Sequence, residues 1–355
     1  MRGKKTTIFG LIALLIGTAT LFGGCGSGGT SSGNSGSKTV NVLCWTEYLP
    51  DSVMSNFQKE TGVKVNLTTF SSVDEELAKL EAGKDGTYDL LIGGNVTSLK
   101  EGGKLEKLDL SKLSNYGNIK KDYRTYVEDP KGEYTVPYMG VTAVIAVNSD
   151  KVKDQITSYQ DLLKPAYKDS EVVIEDAQAV VGMANIAAGH DFNDLSDKAL
   201  GDAKAYLEKL RPNIHAFNGD SPKTLLLNGE CNIGLIYNGE AAMAQKENPA
   251  IKVYYPKEGV YYAFDRLSIT SAAQNKENAY KFLNYILDAK VSKSISDKYQ
   301  YINPNDKAVE LLGSSYQSNP LFVLPADVVK RCQTPNGRTS AEKTKVANVW
   351  TQIKG

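Results

Sequence analysis

The sequence predicts an α/β protein of two lobes, with mostly parallel sheets flanked by helices and extended strands running between the lobes. Three observations lead there. Short apolar runs alternate with segments of helical periodicity along most of the chain, the pattern of βα units whose strands are covered on both faces. About 315 residues follow an N-terminal leader, enough for two domains of ordinary size. Two long extended runs, "YTVPYMGVTAVIAVNSD" from Tyr134 and "YYAFDRLSIT" from Tyr261, have the length of hinge strands, and ligands favour the cleft between domains so joined.

The chain opens with Arg2, Lys4 and Lys5, then an apolar stretch from Ile8 to Phe22 that is short and glycine-interrupted, as in a secretory signal. It ends in "LFGGC", which reads as a bacterial lipoprotein signal with Cys25 lipidated and made the new N-terminus. Phe22 departs from the pattern, because the usual Leu sits one place earlier. From Gly26, "GSGGTSSGNSGSK" is a flexible tether with nothing to bury, free to wander on the order of 20 Å. Residues 1–24 are thus expected to be a signal peptide and 25–38 the lipidated cysteine and its tether. The mature protein would then be held through its lipid to the extracytoplasmic face of the membrane.

Beyond the tether, "VNVLCWTEYLP" from Val40 is a strand that exits into two aromatics, Trp45 and Tyr48. The next segment carries Val53, Met54 and Phe57 at helical spacing and stops at Gly62. "VKVNLTTF" alternates like a strand. "SVDE" at Ser72 is a capping box that opens a helix to Gly83. "YDLLI", "EVVIED", "CNIGLIY" and "IKVYY" read as further strands, separated by helical patterns such as Asp197 to Leu210. Residues 39–143 with 267–310 are assigned to lobe 1, and 144–266 with 311–355 to lobe 2. No internal repeat is present.

Composition excludes several functions. Without Arg2, Lys4 and Lys5, 38 basic residues face 41 acidic ones and form no basic stripe, which argues against nucleic acid. With only His190 and His215, no multi-histidine metal site can be built. Cys44, Cys231 and Cys332 are too few and too dispersed for a disulfide framework, although one pair could form. No GxSxG elbow, HExxH helix or P-loop occurs, and "IGGN" at Ile92 is too short for a phosphate loop. Neither an enzyme nor a cofactor is expected.

Several motifs recur in one order from about residue 39 to 305: "WTEY", "YTVPY", "IEDA", "AFNGD", "IYNGE", "YYPKEG" followed six residues later by Asp265, and "YINPN". In these the chain resembles the bacterial spermidine/putrescine-binding proteins, which have the type II periplasmic-binding-protein fold. The resemblance implies a monomeric receptor that captures a polyamine and delivers it to an ABC permease. It also implies the site: Trp45 and Tyr48 as aromatic walls, Asp176 and Asp265 as carboxylates for two ammonium groups, Tyr237 where the family has a tryptophan, and Thr46, Tyr301 and Gln333 as further contacts. The chemistry agrees, since a polyamine needs buried carboxylates for its charges and aromatic faces for its methylenes. Each residue also has a plainer reading. Trp45 could plug the core, Asp176 could cap a helix, and Thr46 could end a strand. Glu240 reads as a solvated residue at a helix start.

The family pattern fails at three places. A family glutamate falls on Ala179, a tryptophan on Ala263, and a Ser/Thr-Tyr run on Gly93 to Val96. Alternation puts Ala263 and Asp265 on one strand face and Tyr262 and Phe264 on the other, so neither neighbouring aromatic simply replaces the lost tryptophan. A cleft short of one carboxylate favours a putrescine-like diamine over spermidine. Other readings stay open: a bulkier cation such as a quaternary amine or thiamine-like molecule, ferric iron held by the adjacent pairs Tyr254–Tyr255 and Tyr261–Tyr262, or a sensor for the same ligand.

Overall fold

The computed structural model describes residues 38–94 and 96–354. The leader, Cys25 and the tether lie outside the described residues. Among the described residues no helix is long and apolar enough to cross a membrane.

Ten strands form one curled sheet. They are β1 (Thr39–Trp45), β2 (Lys64–Phe70), β3 (Leu90–Gly93), β4 (Val136–Asn148), β5 (Glu171–Ile174), β6 (Ile214–Asn218), β7 (Ile233–Tyr237), β8 (Ile251–Tyr254), β9 (Val260–Ile269) and β10 (Cys332–Gln333). The order is β2-β1-β3-β9-β4-β7-β5-β6, with β8 on β4 and β10 on β9. Two parallel groups stand at the ends, β2-β1-β3 and β7-β5-β6. The two long strands foreseen as hinges join them. β4 pairs with β9 over Val136–Thr142 and with β7 over Ala143–Val147, while β9 continues onto β3. These pairings are antiparallel, so the expected parallel arrangement holds within each end group and not across the joining strands. β4 is buried along its whole length, which explains its unbroken run of apolar and small residues.

The local signals act as their chemistry requires. The helix Asp51–Thr61 buries Val53 and Phe57 and stops at Gly62, whose φ of 74° puts it in the left-handed region while its N–H donates to the Gln58 carbonyl. Ser72 caps the helix Val73–Ala82 by accepting from the Glu75 amide. The reciprocal half of the box is displaced, because Glu75 accepts from the amide and hydroxyl of Ser71 instead. Helix Asp197–Leu210 buries Leu200, Ala203, Leu207 and Leu210 at the spacing of one face. A 15-residue C-terminal helix, Ser340–Lys354, packs against it and against the helix Ala177–Ala187. All three cysteines are free thiols, Cys44 and Cys231 buried and Cys332 half-buried, so the pair the sequence allowed is not made.

Candidate ligand-binding cleft

A cavity of about 150 Å³ opens where the C-terminal ends of β1, β5 and β7 face the middle of β4 and β9. The C-terminal edge of parallel strands is where α/β folds expose loops and helix N-termini to a ligand. Seven of the residues chosen from the sequence line it: Trp45, Thr46, Tyr48, Asp176, Tyr237, Asp265 and Tyr301.

The exit of β1 holds the first carboxylate. The Trp45 indole N–H donates to Asp265 Oδ1 at 3.2 Å, and the Tyr48 hydroxyl donates to Asp265 Oδ2 at 2.7 Å. Trp45 is half-buried and leans on Phe70, with ring centroids 4.5 Å apart. Tyr48 is 4% exposed, edge-on to both Tyr138 and Tyr301, and its carbonyl accepts from the Tyr138 hydroxyl. It is at once a core residue and part of the cleft. Burial pushes the Asp265 carboxyl up to about 6; the two donated hydrogen bonds oppose this, and the charge of Asp176 adds to it. Thr46 spends both its amide and its hydroxyl proton on the Phe70 carbonyl, which ends the strand and leaves the hydroxyl lone pairs as acceptors.

The second carboxylate is also a helix cap. Asp176 stands at the N-cap of Ala177–Ala187, where Oδ1 accepts from the Ala179 amide at 3.0 Å and Oδ2 from the Tyr237 hydroxyl at 3.0 Å. Burial raises its carboxyl above the ordinary range, opposed by these hydrogen bonds and by the charge of Arg338. Tyr237 comes off the end of β7 with its ring 6.0 Å from that of Tyr261. The Tyr301 ring packs against Gly239, where a Cβ would overlap it. Gln333 stands outside the lining; its Oε1 accepts from the Phe192 amide at 2.7 Å and so ties β10 to the cleft wall.

Ala179 and Ala263, the positions at which the resemblance would place a carboxylate and an aromatic ring, both line the cavity. A Cβ at Gly94 would come within 3.6 Å of Asp265 Oδ1, so the backbone there faces the carboxylate directly.

Several residues that the resemblance did not assign to the ligand also line the cavity. Tyr261 fills the cleft beside Tyr237 and packs on Phe192. It shares the β9 face of Ala263 and Asp265, so parity could have found it; its neighbour Tyr262 turns away onto Phe264, and Tyr254 and Tyr255 are likewise outside the lining. Arg338, 7% exposed, lies over the Phe192 ring and hydrogen-bonds to Gln178. Glu128 joins the lining with its carboxylate bonded to the Thr97 hydroxyl. Glu240 is not the solvated residue expected. It is 4% exposed, lines the cavity and pairs with Lys223, because the helix Asn238–Glu247 begins beneath Tyr301 with its first turn facing inward. Burial pushes its carboxyl up to about 7, with Lys223 opposing.

Residues 52–323 match the family model described as bacterial extracellular solute-binding protein. The chain belongs to that family. This solute-binding protein is 36% identical over 301 residues to the spermidine/putrescine-binding periplasmic protein of Escherichia coli, spanning 84% of this chain and 86% of the relative. It is 31% identical over 339 residues to the putrescine-binding periplasmic protein PotF of the same organism, 89% of one chain and 91% of the other. A putative spermidine/putrescine ABC transporter structure from Listeria monocytogenes superposes with a TM-score of 0.86 at 28% identity, covering 90% of this chain and 99% of that one. The two-lobed fold and the family likeness expected from the motifs are both met by these findings. The relatives are solute-binding transport proteins and not enzymes, in keeping with the absence of catalytic motifs.

Proposed function

We propose that this protein captures a polyamine, a putrescine-like diamine in preference to spermidine, and delivers it to an ABC permease. It would work as a monomer at the extracytoplasmic face of the membrane, held through Cys25, with the lobes bounded as assigned above closing on the ligand. One observation carries the reading: two half-buried carboxylates, Asp176 and Asp265, are each held ready by aromatic donors inside a cavity walled by Trp45, Tyr48, Tyr237, Tyr261 and Tyr301. Each carboxylate raises the cost of ionising the other, and a ligand with two ammonium groups relieves both at once. Aromatic faces between them suit the intervening methylenes and add cation–π attraction. Ala179 lacks the carboxylate a third ammonium would need. The names and the similarity of the relatives support the ligand class.

The test is thermal-shift screening against putrescine, cadaverine, spermidine, choline, thiamine and ferric citrate, since a ligand that binds the native state raises its melting temperature. Large shifts with diamines, and smaller ones with spermidine, are expected. No shift with any amine would overturn the reading.

A further inference from the structure

Beside the end of the cleft lined by Trp45, Thr46 and Glu240, the protein supplies an ammonium of its own. Lys223, on the short helix Pro222–Leu227, donates to Glu47 Oε2 at 2.6 Å, to Glu240 Oε2 at 3.1 Å and to Ser221 Oγ at 2.8 Å. An ammonium has three protons, and here each has an acceptor. The Lys223 and Glu240 side chains are well screened from solvent, at 12% and 6% exposure, while that of Glu47 is 42% exposed at the rim. Glu47 reaches the ammonium from the β1 exit, with its backbone in the left-handed region at φ 51°, which few side chains other than Asn, Asp and His adopt. Two carboxylates and a hydroxyl around one ammonium are what a bound amine would require. Glu240 itself lines the ligand cavity, as do Trp45 and Thr46 immediately before Glu47.

We propose that Lys223 is a tethered ammonium filling a third cation position of the cleft, and that it thereby holds the protein to ligands with two ammonium groups. The inference rests on the polyamine reading and deepens it. Ala179 removes one carboxylate, and Lys223 occupies the pair, Glu47 and Glu240, that could have served instead. A triamine entering the cleft must either leave its third ammonium unpaired or expel a fully hydrogen-bonded lysine. A diamine needs neither.

Calorimetric titration of the full chain in detergent at pH 8, with putrescine and with spermidine, tests this. In Lys223→Met the ratio of spermidine to putrescine affinity should rise at least tenfold. Lys223→Arg keeps a cation and should keep the wild-type ratio, and Lys223→Met with Glu240→Gln should bring the ratio back down. Should the methionine variant fold poorly, Lys223→Gln removes the charge while keeping a donor toward Glu240. A ratio unmoved by loss of the charge, or both affinities falling together, would overturn the proposal and leave Lys223 as a tie across the cleft mouth. Wild-type protein that binds neither amine would remove the polyamine reading and this inference with it. Putrescine binding with an unmoved ratio would remove this inference alone.

Discussion

Tyr48 and Asp265 are 217 positions apart in sequence, and the hydroxyl of one donates to the carboxylate of the other at 2.7 Å. The bond runs between the exit of β1 and the middle of β9, strands that do not pair with each other but both border β3. With Trp45 on its other oxygen, Asp265 is oriented by two side chains that are themselves fixed by packing. A charge-binding group positioned in advance costs less to order when the ligand arrives.

Binding should depend on pH through this carboxyl. A cation selects the ionised form, and Asp265 in the empty protein titrates near 6. Affinity for a diamine should therefore be flat above pH 7 and fall about tenfold per pH unit below about 6. Calorimetry from pH 5 to 8 reads this directly, and a flat profile would count against Asp265 as a cation ligand.

The same group should weaken the empty fold. Its folded value is raised, so its stabilising contribution is complete below about 3.8 and is lost as pH rises through about 6. Asp265→Asn should raise the melting temperature of the ligand-free protein at pH 8, by up to about 3 kcal/mol in stability, while lowering diamine affinity at least a hundredfold. Thermal melts with and without putrescine would show both. A variant that loses stability and keeps affinity would reverse the assignment.

Trp45 can be divided into its parts. Trp45→Ala removes ring and donor and should weaken diamine binding by about 1–3 kcal/mol, with little loss of folding because the ring is half-buried. Trp45→Phe keeps an aromatic face but loses the N–H to Asp265. It should weaken binding less and move the pH midpoint upward. Unchanged affinity in the alanine variant would return Trp45 to a purely structural role.

Away from the cleft, Glu171 opens β5 with both carboxylate oxygens buried and without a hydrogen-bond partner among the described residues. Burial pushes its carboxyl up to about 9. This contribution to stability is full below about 4.5 and disappears as pH rises toward 9. Glu171→Gln removes the titration and should stabilise the protein at pH 8 by on the order of 2 kcal/mol, flattening its stability profile. Chemical denaturation at pH 5 and pH 8 compares the two, and identical pH profiles would show that the acid is solvated.

The parts of the site legible in the sequence are those fixed by strand geometry. Trp45, Asp176 and Tyr237 leave the ends of parallel strands, and Asp265 lies on a strand whose alternation decides its face. Tyr261 obeyed the same parity but was named only in the ferric-iron alternative, because as half of a Tyr-Tyr pair it reads equally well as core. Glu128 and Arg338 come from irregular segments before β4 and after β10, where no period fixes a side chain's direction. Lys223 and Glu47 meet across 176 positions, a contact that only the assembled sheet creates. Glu240 was misjudged because helix starts are commonly solvated, whereas this one is roofed by Tyr301. Gln333 was chosen from the resemblance alone, with no strand read there, and its side chain is spent on the Phe192 amide.

The rim of the cleft touches through glycine at two points. A Cβ on Gly219 would overlap the Ser71 carbonyl, and one on Gly337 would overlap the Thr97 hydroxyl and come within 2.9 Å of Glu128 Oε1. At the Gly219–Ser71 contact there is backbone on both sides and no side chain to swing aside, so nothing at that point can act as a door on the picosecond to nanosecond scale of rotamer flips. Escape past that point requires the backbones themselves to part, a collective displacement on the microsecond to millisecond scale. How long a captured molecule stays would then be set by the stiffness of β4 and β9 as much as by the strength of any single ion pair.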